Sequence, residues 1–153
     1  MLVQDVMTAN PVTVSPQAPL QEALEQMQGL RVRHLPVVQE NRLVGVVTWT
    51  DLLRAALPPL VSAEMSRSLS LPQDLKISDV MTREVITVSP GDTVEEAATL
   101  MRRHRIGCLP VLDREQLVGI VTKSDLFDAL VYLRGGDLEG VRLSVALPAG
   151  LED

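Results

Sequence analysis

Laid against itself at an offset of 74 residues, the chain matches without a gap from Asp5–Ala55 to Asp79–Ala129, and 23 of the 51 aligned positions are identical. Self-similarity of this length means one supersecondary unit built twice, so any fold for the chain must place two copies of it. The matches come in blocks. Asp5-Val6-Met7-Thr8 meets Asp79-Val80-Met81-Thr82, and Thr13-Val14-Ser15-Pro16 meets Thr87-Val88-Ser89-Pro90. Leu35-Pro36-Val37 meets Leu109-Pro110-Val111, and Leu43 to Thr48 meets Leu117 to Thr122.

Each copy reads as β-α-β-β-α. A short strand, 12–14 or 85–88, ends at Ser-Pro, where serine can cap a helix and proline is tolerated in the first turn. The helix that follows carries Leu20, Ala23, Leu24 and Met27 in the first copy and Val94, Ala97, Ala98 and Met101 in the second. This i, i+3, i+4, i+7 stripe predicts one buried face, and Gly29 is placed to end the first helix in a left-handed conformation. Two β-rich runs then flank a short polar link, 39–42 or 113–116, the pattern of a hairpin. A second helix starts after Thr48 and again after Thr122. A unit of about 50 residues buries its apolar faces poorly alone, so the copies are expected to pack on each other through their sheets. The expected divisions are 1–57 for the first unit, 58–78 for a Pro- and Ser-containing linker, 79–134 for the second unit and 135–153 for a tail.

Composition narrows the function. Net charge is −6, which removes the basic field that duplex nucleic acid requires. Aromatics are 2% of residues, too few for the stacking platforms of single-strand binding. Cys108 is the only cysteine, so neither an internal disulfide nor a cysteine-based zinc cluster can form. No signal peptide or apolar run of about 18 residues is visible, so a cytoplasmic location without membrane insertion is expected. The two histidines, His34 and His104, lack metal-ligand spacing, and no Ser or Cys has a convincing His partner for nucleophilic catalysis. No enzymatic activity and no metal are therefore expected.

The string with chemical content is Gly45-Val46-Val47-Thr48-Trp49-Thr50-Asp51 and its twin Gly119-Ile120-Val121-Thr122-Lys123-Ser124-Asp125. Its plainer reading is a capping box, with Thr accepting from an early helix N–H and Asp answering from N3. The same junction suits a nucleotide, since a helix start attracts anions and a carboxylate can accept from both ribose hydroxyls. The two readings coexist. Trp49 interrupts the string and covers either a ligand or a dimer surface; the residues alone do not decide.

The whole repeat resembles the CBS domain, and two in tandem resemble a CBS pair, or Bateman module. Leu-Pro-Val followed by Leu-Val-Gly-(Val/Ile)-Val-Thr-x-x-Asp-Leu, twice, carries the resemblance, which covers about residues 2–133. It implies an α+β fold in which the repeats pack with pseudo-two-fold symmetry and leave two clefts for adenosine ligands. It further implies that Asp51 and Asp125 hold ribose hydroxyls and that Thr48 and Thr122 sit beside ribose or phosphate. Val12, Thr13, Ile86 and Thr87, with the residues around Leu-Pro-Val (Arg33, His34, Pro36; Gly107, Cys108, Pro110), would line the adenine and phosphate region. In nucleotide-sensing members a basic pair stands where Arg33-His34 stands here. Gly107-Cys108 offers no cation, although Lys123 can supply one, so the clefts are expected to be unequal. The implied role is a regulatory module without cofactor that senses AMP, ADP or ATP, forms a homodimer and acts on an enzyme or transporter. The rivals are a purely structural module and a binder of S-adenosylmethionine or metal.

In the tail, Val141, Leu143, Val145 and Leu147 alternate with Arg142, Ser144 and Ala146, the period of a half-buried strand. It resembles the opening strand of an ACT domain, for which too few residues follow. It therefore adds to a sheet edge, exchanges within a dimer or marks a truncated product.

Overall fold

A computed structural model describes residues 1–56 and 71–133. The alternating tail and linker residues 58–70 lie outside the described residues. In chain order the elements are α1 (Val3–Val6), β1 (Thr8–Ala9), α2 (Leu20–Leu30), β2 (His34–Gln39), β3 (Arg42–Thr48) and α3 (Trp49–Ala56). The second series is α4 (Ile77–Val80), α5 (Val94–His104), β4 (Cys108–Asp113), β5 (Gln116–Thr122) and α6 (Lys123–Leu133).

Each repeat is centred on an antiparallel hairpin, β2–β3 or β4–β5. The turns are tighter than the polar links suggested. Only Glu40-Asn41 and Arg114-Glu115 separate the strands, and all four residues have positive φ. Two left-handed residues in succession match the right-handed twist of the flanking strands, which is why short hairpins favour this geometry. The helical stripes are buried at Leu20, Ala23 and Met27 and at Val94, Ala97 and Met101. Leu24 is half-buried and Ala98 is exposed.

Several local expectations change. Residues 12–14 and 85–88 form no strands; each segment makes one parallel bridge, Val14 to Val37 and Val88 to Val111. Ser-Pro does not begin a helix either. Ser15 instead accepts from the Gln17 N–H in a turn, and α2 starts at Leu20. In the second repeat the true cap is Thr93, in a capping box with Glu96. Gly29 lies inside α2, and the left-handed cap is Arg31 (φ 57°), repeated at Arg105 (φ 54°). A cap residue needs only that its own N–H reach a carbonyl one turn back, here that of Met27.

The repeats are also exchanged at their entries. β1 pairs with β5 of the second repeat, and α1 delivers Val3 into that repeat's core beside Leu109, Val111 and Val121. Reciprocally, Thr82 exchanges two backbone hydrogen bonds with Val46, while Ile77 and Met81 enter the core of Leu35, Val37 and Val47. Each core thus contains side chains from the segment preceding the other repeat. Between the cores, Val46, Cys108 and Ile120 form a buried seam with β3 against β5. Among the described residues no helix is long and apolar enough to cross a membrane.

Candidate functional site

The two Thr-x-x-Asp strings stand where a hairpin strand passes directly into a helix, β3 into α3 and β5 into α6. Both are capping boxes. Thr48 N–H donates to Asp51 Oδ2 (2.9 Å) and Asp51 N–H donates to Thr48 Oγ1 (3.1 Å). In the twin the distances are 2.8 and 3.3 Å, and the Thr122 hydroxyl also donates to Asp125 Oδ2 at 3.0 Å. The plainer reading of these residues therefore holds in full. Every one of these bonds to a carboxylate uses Oδ2, so the cap orients the group while engaging one oxygen. All four residues are half-buried, within reach of a ligand.

Pairing brings the remaining candidates of the first repeat to the same end of its sheet. His34 faces Thr48 across the hairpin, and Trp49 N–H at the start of α3 donates to Arg33 C=O (2.9 Å). The parallel bridge at Val14 lays Val12 and Thr13, both exposed, alongside the beginning of β2. The second repeat repeats this layout. Cys108 faces Thr122, Lys123 N–H donates to Gly107 C=O (3.1 Å), and the half-buried Ile86 and Thr87 precede the bridge at Val88. Pro36 and Pro110 are fully buried, and their carbonyls accept from Val14 and Val88 N–H.

The repeats differ at the pair of residues ahead of Leu-Pro-Val. His34 reaches across the seam to lie on Gly107, where an added Cβ would stand 3.1 Å from His34 Nε2. Burial holds the imidazole pKa below its ordinary value. Arg33 and Lys123 press it further down, and Asp51 partly opposes them. Arg33 and Lys123 themselves are exposed. Cys108 is buried, and burial pushes its thiol up to about 12, which leaves a neutral small hydrophobe rather than a nucleophile or ligand. Among the described residues no group of three or more His, Cys, Asp or Glu is placed to hold a metal ion.

The chain is similar to known proteins over most of its length. The family model described as CBS domain matches residues 3–58 and 77–132. The CBS domain-containing protein YhcV of Bacillus subtilis is 36% identical over 124 residues, with 81% of each chain covered. The crystal structure of CBSX2 in complex with AMP superposes with TM-score 0.74 at 29% identity, covering 87% of this chain and 98% of that one. The CBS domain pair of MJ0100, in complex with 5-methylthioadenosine and S-adenosyl-L-methionine, gives 0.71 at 28% identity over 87% and 98%. Other relatives, homoserine O-acetyltransferases and an inosine-5'-monophosphate dehydrogenase, are longer enzymes of which this chain spans 23–25%.

Proposed function

Since the chain belongs to the CBS-domain family, as a tandem pair, we propose that it is a regulatory module for adenine nucleotides of the AMP, ADP or ATP type. The observation that carries this reading is the duplicated helix start, where a cap fixes one half-buried carboxylate per repeat at the strand-to-helix junction. Asp51 and Asp125 would receive ribose hydroxyls, with Thr48 and Thr122 beside them, and Arg33 and His34 would meet phosphate. The neighbours in complex with AMP and with S-adenosyl-L-methionine support an adenosine compound as the ligand class. A ligand that touches both repeats favours one arrangement of them, and any enzyme or transporter preferring that arrangement feels its presence.

Thermal denaturation with AMP, ADP, ATP, S-adenosylmethionine and GTP tests the reading. A ligand at about 100 times its dissociation constant stabilises by roughly 2.7 kcal/mol, which for a chain of this size raises Tm by about 5–10 °C. Adenine compounds are expected to do so and GTP is not. A flat panel would favour a structural module, the reading to which the fully formed caps lend support. A response confined to S-adenosylmethionine would favour a module for that compound over one for nucleotides.

The homodimer is assigned to the α5–α6 face. A groove of about 970 Å³ runs there between Ala98 and Met101 on one side and Leu126, Phe127 and Leu130 on the other. Phe127 is 60% and Leu130 48% exposed. The walls carry both Glu95 and the bases Arg102 and Arg105, so a two-fold copy can set acid against base. Phe127→Glu should convert the dimer to a monomer in sedimentation experiments without lowering Tm in the monomeric state. A wild-type protein that sediments as a monomer at micromolar concentration would reject this face.

A further inference from the structure

Two of the six methionines, Met7 and Met81, occupy equivalent places where the entry segments cross between the repeats. At each place the thioether fills the space that a glycine leaves open on the hairpin it crosses to. A Cβ at Gly119 would run into Met7 Sδ, and one at Gly45 would stand 2.7 Å from Met81 Sδ. The two differ in access. Met81 is 9% exposed, whereas Met7 is half-buried and packs on the rim of the second core. The strand that follows Met7 is slight: β1 has two residues, paired with Ile120 and Gly119, and Asn10 N–H closes it by donating to the Val118 carbonyl at 3.1 Å. We infer that Met7 is a modification site, at which a peroxide converts the thioether to a sulfoxide, detaches this entry segment and loosens the join between the repeats. The inference goes beyond the nucleotide reading and stands apart from it.

The sulfur lone pair attacks one oxygen of hydrogen peroxide, and the S–O bond forms as the O–O bond breaks. The departing hydroxide takes the proton left on the transferred oxygen and leaves as water. Sulfur is oxidised by two electrons and the peroxide is reduced by two. An apolar, flexible side chain thereby becomes a polar one. The new oxygen is an acceptor, but the niche offers another acceptor in return: the Thr8 carbonyl oxygen lies 3.0 Å from the same Cβ position beside Gly119, which has no side chain to donate. A buried acceptor without a donor is costly, so the sulfoxide turns out to water and Met7 leaves its seat. The contact that backs β1 against β5 goes with it. The other sulfur atoms supply controls. Met27 and Met101 are buried in the cores, and Cys108 is a buried thiol pushed up to about 12, which presents no thiolate to the oxidant. Met1 is exposed and belongs to neither core.

Graded oxidation of the full chain with hydrogen peroxide tests this, with each methionine's sulfoxide fraction followed by peptide mass spectrometry and Tm measured on the same samples. Met1 and Met7 are expected to react before Met81, and Met27 and Met101 last. Tm should fall by about 5 °C as Met7 is converted, the shift that loss of one packed side chain produces in a chain of this size. Hydrogen exchange at the Asn10 amide should quicken in step with it. Met7→Leu, which nearly conserves volume and forms no sulfoxide, should keep its Tm through the same treatment. The wild-type series needs no variant, so the test survives if M7L folds poorly. A Met7 that stays reduced after Met1 is fully oxidised, a Tm that follows another methionine or Cys108 instead, or an equal fall in M7L would overturn the inference. Each of these outcomes leaves nucleotide binding to be decided by the thermal panel alone.

Discussion

Gly45→Val should lower the melting temperature by about 4–8 °C, although the glycine touches no proposed ligand. A Cβ at Gly45 would lie 2.7 Å from Met81 Sδ and 2.8 Å from the Thr82 carbonyl oxygen. The thioether can swing away. The carbonyl cannot, because Thr82 is tied to Val46 by backbone bonds of 3.0 and 2.9 Å. Valine must either strain the seam, typically about 1–3 kcal/mol, or expel the crossing segment and lose two backbone hydrogen bonds at about 1 kcal/mol each. At about 2–4 °C per kcal/mol for a chain of this size, either outcome, centred near 2 kcal/mol, is a loss of about 4–8 °C. Gly119 meets Met7 Sδ and the Thr8 carbonyl in the same way, and Gly119→Val should behave alike. Gly29 is the control. A Cβ there would meet nothing within 4 Å, and the residue sits inside α2, so Gly29→Ala should stabilise by about 0.5–1 kcal/mol. If Gly45→Val melted with the wild type, the exchange of entry segments between repeats would be wrong.

Those glycines mark the limit of what could be read from the chain. The repeat, the buried stripe Leu20, Ala23, Met27 and the hairpin strands are local regularities, and periodicity reports them directly. The role of Gly45 is tertiary: it makes room for Met81 and Thr82, which precede the other copy. Aligning the copies side by side conceals that their entries are exchanged. Helices α1 and α4 escape a periodicity reading because four residues are too few for a period, although each carries a signal. Asp5 accepts from Leu2 N–H and Asp79 from Lys76 N–H, both at 2.8 Å, so the repeated Asp-Val-Met-Thr block is itself a helix cap. The misplaced stop at Gly29 has a similar cause. Glycine is the residue that best tolerates positive φ, but the end of α2 is set by where Met27 finds its last partner, and Arg31 is the residue there. At the site, the Thr–Asp boxes were legible since both partners lie within one turn. The contact of His34 with Gly107 was not, since it joins residues of two repeats, far apart in the chain, that sequence comparison lays side by side rather than in contact.

Asp51→Ala and Asp51→Asn together should separate the two duties assigned to this carboxylate. Alanine removes the acceptor for Thr48 N–H and should cost about 1 kcal/mol of folding stability as a lost cap. It should also remove a charged hydrogen bond to ribose, contributing roughly 1.5–3 kcal/mol, which is about a ten- to hundred-fold loss of nucleotide affinity. Asparagine keeps an oxygen for Thr48 N–H but gives up the negative charge, and charged hydrogen bonds are about twice as strong as neutral ones. Its Tm should stay near that of the wild type while nucleotide affinity still falls severalfold. Asp125→Asn should do the same at the other cleft, so binding isotherms of the two variants should lose different sites where two are filled. The decisive comparison is Asn against Ala at one position, with stability measured alongside affinity. Were asparagine to bind nucleotide as tightly as aspartate at both positions, the carboxylates would be helix caps and nothing more. The twin helix starts would then owe their likeness to folding alone.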